Sequence, residues 1–178
     1  MKKTLVINLF GGPGTGKSTT AAAVFARLKC LGVDCELSSE FAKDLVWEQR
    51  YDTFKDQLYI FAKQAHRLFR LVGKVDVVIT DSPLFLTCYY GRDDKPLCRF
   101  CIDYVERFNN LNYFLVREKA YNPNGRNQTE EEAKQIDTEL RYELEKYEQD
   151  YKVLPGNMSA VDAIAEEVMK ILGDTNND

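Results

Sequence analysis

A short glycine-rich loop near the start of the chain constrains its fold more than any other feature. Residues 11–18 read Gly-Gly-Pro-Gly-Thr-Gly-Lys-Ser and match G-x-x-x-x-G-K-[ST] at every fixed position. The apolar run Thr4–Phe10 precedes them, and a segment with good helical propensity begins at Thr19. A strand, a glycine-rich turn and a helix in this order form a cradle for a phosphate. We call residues 11–18 the phosphate-binding loop, and they predict a nucleotide-binding domain.

The spacing of this loop assigns a chemical role to its last two residues. Glycines allow backbone conformations closed to other residues, so successive N–H groups can turn inward around a phosphate. We expect Lys17 to reach the β- and γ-phosphates, and the Ser18 hydroxyl to ligate a magnesium ion that bridges the same oxygens. The residues expected to bind the nucleotide here are Gly12, Gly14, Thr15, Gly16, Lys17, Ser18 and Thr19.

The rest of the chain alternates apolar runs with stretches of helical spacing. The predicted strands are Thr4–Phe10, Val33–Leu37, Val75–Thr80, Leu111–Val116 and Tyr151–Leu154. Apolar residues recur at helical spacing at Val24, Leu28 and Leu31. A longer stripe consists of Phe54, Leu58, Ala62, Ala65, Phe69 and Val72. This alternation predicts an α/β fold with a mostly parallel sheet, which binds ligands at the carboxyl ends of its strands.

Length and charge narrow the class of protein. The 178 residues suit one domain over residues 1–173, with a flexible polar tail at 174–178. No apolar run approaches the roughly 18 residues of a membrane span. The N-terminus lacks the pattern of a secretory signal, so we expect a cytoplasmic protein. The net charge of -4 gives no support to nonspecific nucleic-acid binding, which normally needs a basic field.

Several cysteines and aromatic residues have a simple structural interpretation. Cys98 and Cys101 have the spacing of half a zinc site, but they lie on an apolar helical stripe and are predicted to be buried thiols. The odd number of five cysteines suits a reducing compartment. Aromatic rings such as those of Trp47, Tyr89 and Tyr90 are suited to stacking on a flat acceptor, although most are expected in the core.

Two carboxylates follow predicted strands. Asp81 comes directly after the third strand, where an acid can steady the magnesium ion, although a turn or helix N-cap is a compatible role. Glu40 lies just past the second strand, where it can accept the proton of an attacking hydroxyl. The structural alternative is a glutamate in the first turn of the next helix, capped by Ser38 or Ser39.

A polar, turn-rich stretch follows the fourth strand and is predicted to be a lid over residues 117–130. It carries Arg117 and Arg126, and guanidinium groups can stabilise the charge that develops in phosphoryl transfer. Gln128 and Asp137 are candidates to hold the lid or touch substrate. The lid leads into a helix that the capping box Thr129-Glu130-Glu131-Glu132 begins, with one apolar face and one acidic, solvated face.

As a set, these residues resemble the small P-loop kinases of the nucleoside and nucleotide kinase group. The resemblance rests on the phosphate-binding loop, Glu40, the strand end Thr80-Asp81-Ser82-Pro83 and the segment of Arg126. Phe10–Ser18 and Tyr121–Gln128 are most similar to compact ATP-binding proteins of bacteriophages, themselves similar to ribosylnicotinamide kinase domains. The stretch after the second strand lacks the Asp-Arg or Glu-Pro signatures of thymidylate and deoxynucleoside kinases, so their substrate preference does not carry over.

The resemblance implies a P-loop NTPase three-layer sandwich. Its five-stranded parallel sheet would have the order 2-3-1-4-5, with helices on both faces and an arginine-bearing lid. Adenine would lie near the loop after the last strand, around Gly156. Catalytic roles would fall to Lys17, Glu40, Asp81, Arg126 and Arg117, with Ser18 and Asp81 at the magnesium ion.

The predicted function is ATP- and magnesium-dependent phosphoryl transfer to a nucleoside-like or nucleotide acceptor, by a monomer or homodimer without a membrane partner. One alternative is a kinase that phosphorylates a hydroxymethyl base in phage DNA, which the net charge of -4 mildly disfavours. Much of that charge lies on the helix at 130–150, so the site itself can be locally positive. The other alternative is an ATPase or nucleotide switch that acts on a protein partner. Ser82 and Pro83 stand where such proteins usually carry a catalytic glutamate, which favours a kinase.

Overall fold

Five parallel strands form one sheet in the computed structural model, which describes residues 3–118 and 129–175. The strands are β1 (Leu5–Phe10), β2 (Cys35–Ser38), β3 (Val77–Thr80), β4 (Asn109–Val116) and β5 (Lys152–Pro155). Their order is β2-β3-β1-β4-β5, which confirms the order that the family resemblance implied. Every predicted strand overlaps an observed one, with small shifts at the ends. Arg126, Gln128 and most of the predicted lid lie outside the described residues.

Helices cover both faces of this sheet. They are α1 (Lys17–Cys30), α2 (Phe41–Trp47), α3 (Gln57–Phe69), α4 (Leu86–Tyr90), α5 (Lys95–Val105), α6 (Glu130–Lys146) and α7 (Met158–Thr175), with a 3-10 helix at Tyr51–Lys55. Successive side chains of a strand point to opposite faces. Leu5, Ile7 and Leu9 of β1 therefore pack with α1 and α7, whereas Val6 and Phe10 pack with α3, α5 and α6. The central strand is buried on both sides, as its continuous apolar sequence predicted.

The predicted stripe from Phe54 to Val72 is wrong in its extent and only partly right in its face, where Ala65 is buried as predicted. Asp56 ends the 3-10 helix and caps α3, because its carboxylate accepts a hydrogen bond from the Tyr59 amide at 2.9 Å. The buried face of α3 consists of Phe61, Gln64, Ala65 and Leu68. Leu58 and Phe69 are 58% and 67% exposed. Leu31, in the other predicted stripe, also lies exposed just beyond the end of α1.

Helix α6 begins as its sequence predicted. The Thr129 hydroxyl accepts from the Glu132 amide at 3.2 Å, and the Glu132 carboxylate accepts from the Thr129 amide at 2.6 Å, so the capping box is complete. Ala133, Leu140 and Leu144 are buried against the sheet. The helix is thereby held at both its start and its apolar face.

Two further expectations concern the described part of the chain. Cys98 and Cys101 are buried in the core, and the described residues contain no group of three or more ligating side chains arranged for a metal ion. Within the same residues, no helix combines the length and the apolar character needed to cross a bilayer.

Glu143, expected on the solvated face of α6, is instead buried and accepts hydrogen bonds from Lys146.

Candidate active site

The phosphate-binding loop connects β1 to α1 and wraps around the ammonium group of Lys17. Gly14 and Gly16 have φ angles of 82° and 95°, in the left-handed region that favours glycine. The Lys17 ammonium donates hydrogen bonds to the Gly11 and Gly12 carbonyl oxygens at 2.6 and 3.0 Å. The loop is therefore already curved, and α1 directs its N-terminal end toward the space that the loop surrounds.

The charge of Lys17 is held among acidic groups. Burial lowers the pKa of Lys17 below its usual range, while the negative charges of Glu40, Asp81 and Asp137 oppose that shift. The guanidinium of Arg117 adds to the lowering. Side chains from four separate parts of the sequence thus act electrostatically on one ammonium group. A lysine whose pKa is shifted, with charged side chains gathered around it by the fold, is typical of an active site.

Strand register places Glu40 and Asp81 beside each other on one side of this loop. Ser38 pairs with Thr80 across β2 and β3, so the chain beyond each strand continues at the same edge of the sheet. Asp81 is buried, and its Oδ1 atom has no hydrogen-bond partner among the described residues. A buried carboxylate oxygen of this kind calls for a cation or a donor from a ligand.

Glu40 is the N-cap residue of α2, but its side chain makes no capping hydrogen bond. The alternative of a first-turn glutamate capped by Ser38 or Ser39 is therefore wrong. Burial raises the pKa of Glu40, Asp81 raises it further, and Lys17 opposes the shift. The carboxylate therefore does not cap α2, and it lies close enough to Lys17 and Asp81 for their charges to act on it.

Strand register also brings Arg117 and Gly156 together on the other side of the loop. Val116 pairs with Pro155, and the Gly156 amide donates to the Val116 carbonyl oxygen at 2.7 Å. A Cβ atom at Gly156 would lie 2.0 Å from the Thr15 carbonyl oxygen. The loop after β5 therefore rests directly on the phosphate-binding loop, and this approach requires glycine.

Arg117 binds the phosphate-binding loop through its guanidinium. Its Nη1 donates to the Pro13 carbonyl oxygen at 2.5 Å, and its Nη2 donates to Asp137 Oδ2 at 2.9 Å. The side chain is only 9% exposed. Asp137, one of the two sequence candidates to hold the lid, also accepts from the Gly12 amide at 2.5 Å. The sequence suggested Asp137 only through its position after the lid and offered no sign of the contact with Gly12.

Of the three aromatic residues named in the sequence analysis, one is buried and two are exposed. Tyr89 is buried, as expected, and its hydroxyl donates to Glu139 at 3.0 Å. The core expectation is wrong for Trp47 and Tyr90, which are 78% and 56% exposed. Removal of water around the hydroxyl and the negative charge of Glu40 raise the pKa of Tyr90 to about 12. Tyr90 is thus an exposed residue whose hydroxyl lies close enough to Glu40 for the charge of that carboxylate to act on it.

Ser18 and Thr19 are exposed at the first turn of α1. Thr15, by contrast, is buried and donates from its Oγ1 to the Gly12 carbonyl oxygen at 3.0 Å. Of the residues predicted to have a catalytic, nucleotide-binding or metal-binding role, all except Arg126 belong to the described part of the chain. They lie in the phosphate-binding loop and α1, or just beyond the carboxyl ends of β2, β3, β4 and β5.

Comparison with known proteins places the fold. A family model described as an AAA domain matches residues 6–160, and no curated protein sequence matches the chain significantly. The structure of the NadR protein in complex with NR is similar with a TM-score of 0.70 at 20% identity, over 92% of this chain and 51% of that one. This chain thus spans about half the length of NadR.

Two further solved structures show the same fold over nearly their whole length. The APS kinase CysC of Mycobacterium tuberculosis has a TM-score of 0.50 at 17% identity, covering 97% of this chain and 99% of that one. The deoxyadenosine kinase of M. mycoides with products dCMP and a flexible dCDP has a TM-score of 0.52 at 19% identity, covering 95% and 99%. These likenesses confirm the P-loop kinase fold that the sequence resemblance implied.

Replacing Gly156 by alanine tests the packing of the last loop on the phosphate-binding loop. The new Cβ would overlap the Thr15 carbonyl oxygen, so we expect a loss of roughly 1–3 kcal/mol in the free energy of unfolding. We also expect weaker binding of a fluorescent ATP analogue, because Thr15 must move. Denaturant unfolding and fluorescence titration measure the two effects. Gly173→Ala is the control, since nothing lies within 4 Å of a Cβ there; equal behaviour of the two variants would contradict the contact.

Proposed function

We propose that this chain is a P-loop kinase. It belongs to the AAA-domain family whose model it matches, and it shares its fold with solved P-loop kinases. It binds ATP in the phosphate-binding loop and transfers the terminal phosphoryl group to a nucleoside-like or nucleotide acceptor. The observation that carries this proposal is that the β2–β3 register brings Glu40 and Asp81 to one edge of the sheet, where their charges act on the ammonium group of Lys17. A phosphate-binding cation and an acid able to take a proton are the two groups that a kinase must bring together.

ATP binding follows from the shape and the charge of the loop. The amides of residues 14–19 and the N-terminal end of α1 present partial positive charge to an anion, and Lys17 adds a full charge. Arg117 adds a second cation at Pro13. Gly156 packs the loop after β5 directly on Thr15, so this loop lies beside the phosphate-binding loop, where we expect the adenine side of the nucleotide.

A magnesium ion fits the oxygen donors at this edge of the sheet. Asp81 offers a buried carboxylate oxygen with no hydrogen-bond partner among the described residues, and Ser18 offers an exposed hydroxyl. Magnesium binds oxygen ligands and in such kinases is held by few protein groups together with the phosphates. Bound there, the ion would neutralise charge on the phosphates, while Asp81 and Ser18 would hold it in place.

Glu40 is the residue that we assign to the acceptor. The acceptor hydroxyl oxygen forms a bond to the γ-phosphorus, the bond from that phosphorus to the bridging oxygen breaks, and ADP leaves. The hydroxyl proton passes to the Glu40 carboxylate and then to solvent. The raised pKa of Glu40 suits this role, because a base works best when its pKa lies near the working pH.

The charge around Glu40 favours a neutral hydroxyl over a phosphate as the attacking group. Asp81 and Glu40 are both acidic, and Arg67 donates hydrogen bonds to Asp44 and Ser39. The positive charges that act on Glu40 are those of Lys17, which we assign to the ATP phosphates, and of Lys43. Tyr90 presents an exposed ring on which a flat base can stack. Likeness to NadR, a ribosylnicotinamide kinase, and to deoxyadenosine kinase supports an acceptor of the nucleoside class.

An ADP-release assay across an acceptor panel tests the proposed function. With magnesium and ATP, we expect release to depend on a nucleoside, a nucleoside monophosphate or ribosylnicotinamide, and nucleosides to be the better acceptors. Lys17→Ala should lower turnover by at least about 10²-fold, because it removes the main cation at the phosphates. Lys29→Ala, an exposed lysine on the far part of α1, is the control.

The same panel separates the alternatives. ADP release that no acceptor changes would reject the kinase and support an ATPase or switch. Release that only hydroxymethylated duplex DNA stimulates would instead support the kinase that acts on a DNA base. Full activity of Lys17→Ala would reject the assignment of the active site.

The pH dependence of kcat/KM tests Glu40. Since its pKa is raised, activity should increase with pH as Glu40 loses its proton, at a higher pH than an ordinary glutamate would give. Since the pKa of Lys17 is lowered, activity should decrease again at alkaline pH sooner than an ordinary lysine would cause. Glu40→Gln should lower kcat/KM by roughly 10²–10⁴-fold and remove the increase of kcat/KM with pH on the acidic side of the profile.

Glu36→Gln, a partly exposed acid on β2, should leave both the rate and the profile unchanged. An acid limb that persists in Glu40→Gln would show that another group takes the proton.

A further inference from the structure

A closed ring of hydrogen bonds joins α6 to the phosphate-binding loop. Asp137 Oδ1 accepts from the Gly12 amide at 2.5 Å, and Oδ2 accepts from Arg117 Nη2 at 2.9 Å. Arg117 Nη1 closes the ring on the Pro13 carbonyl oxygen at 2.5 Å. One carboxylate therefore holds a loop amide with one oxygen and an arginine with the other. Because the two groups share a rigid carboxylate, movement of the loop and of the arginine is coupled.

Gly12 gives an independent indication that this approach of α6 matters. The loop motif leaves position 12 open to other residues, and Gly12 is not among the glycines with positive φ. A Cβ atom at this position would lie 2.7 Å from Asp137 Oδ1 and 2.8 Å from the Ala133 carbonyl oxygen. Glycine is thus required here by the close packing of α6, and neither the motif nor the backbone conformation requires it.

The placement of Asp137 is unusual for a site that binds a triphosphate. A carboxylate near the loop repels phosphate unless its charge is matched, and the guanidinium of Arg117 matches it with a side chain only 9% exposed. Asp137 also offsets the effect of Arg117 on Lys17, since the two act in opposite directions on the pKa of that lysine. The pair brings an arginine next to Lys17 without leaving two unmatched cations together.

We propose that Asp137 is a positioning residue for phosphoryl transfer, which fixes the Arg117 guanidinium against the phosphate-binding loop. The inference rests on the proposed function. Arg117 is then placed by the loop that holds ATP, and the loop is placed by α6. Asp137 itself touches neither ATP nor acceptor and acts through the arginine.

Asp137→Asn separates the two hydrogen bonds that the carboxylate accepts, one from Gly12 and one from Arg117. The amide oxygen can still accept from Gly12, but the amide nitrogen cannot accept from Arg117. We expect kcat to decrease roughly 10–100-fold while the KM for ATP changes by less than about threefold, because positioning errors affect the transition state more than binding. Glu131→Gln removes one charge from an exposed position of the same helix and should have no effect.

A double-mutant cycle tests whether Asp137 acts through Arg117. In a protein that already carries Arg117→Ala, adding Asp137→Asn should lower kcat little further, because the arginine that Asp137 positions is absent. Added guanidinium ion at low concentration should partly restore the Arg117→Ala enzyme. It should not restore the double variant, in which no carboxylate remains to hold the ion. Rescue compares activity of the same protein with and without guanidinium, so it does not depend on equal stability of the variants.

The outcomes distinguish this inference from the function on which it rests. A wild-type protein that transfers no phosphoryl group to any acceptor rejects the proposed function, and the inference with it. A wild-type kinase with a fully active Asp137→Asn variant rejects only the inference. Losses in kcat that add in the double-mutant cycle would also reject the inference. So would guanidinium rescue that is equal with and without Asp137. Either result would leave Asp137 a purely structural role.

Discussion

The buried ammonium group of Lys17 is the charge on which the rest of the site depends. It lies inside a loop whose carbonyl oxygens it binds, and burial alone would drive it toward the neutral form. The acids around it counter that tendency. Because a phosphate needs the charged lysine, the arrangement of Glu40, Asp81 and Asp137 keeps a phosphate-binding cation in a partly desolvated cleft.

The order of the strands divides these groups into two sides. On the side of β3 lie the carboxylates of Asp81 and Glu40, to which we assign the magnesium ion and the acceptor proton. On the side of β4, Arg117 and Gly156 meet the loop through a guanidinium and a close backbone contact. The acceptor chemistry and the nucleotide chemistry that we propose therefore occupy opposite flanks of one strand, β1, which carries the loop between them.

Much of this fold was predictable from the sequence, because the signals are local. The apolar runs predicted five strands that overlap the observed ones, and the capping box predicted the start of α6. The predicted burial of Leu58 and Phe69 is wrong, because hydrophobic periodicity gives the spacing of apolar residues but not the face of the helix that packs on the sheet. Helix α3 begins only after Asp56, and its buried face includes Phe61 and Leu68.

The candidate site was predictable only where a residue follows a strand or belongs to the loop motif. Lys17, Glu40 and Asp81 satisfy that condition, and the parallel sheet brings them together. Asp137 does not, because its contact with Gly12 spans more than a hundred residues of sequence and depends on how α6 packs. The expectation that Tyr90 lies in the core is also wrong, since the presence of an aromatic residue does not show whether its ring is buried or exposed.

The central claim is that the groups around Lys17 transfer a phosphoryl group to an acceptor and not to water. Mass spectrometry of the products, after reaction with ATP, magnesium and a nucleoside in water enriched in the heavy isotope of oxygen, tests it most directly. We predict a phosphorylated acceptor whose phosphoryl group contains no oxygen from the solvent. Inorganic phosphate that carries one solvent oxygen, with no phosphorylated acceptor, would contradict the account.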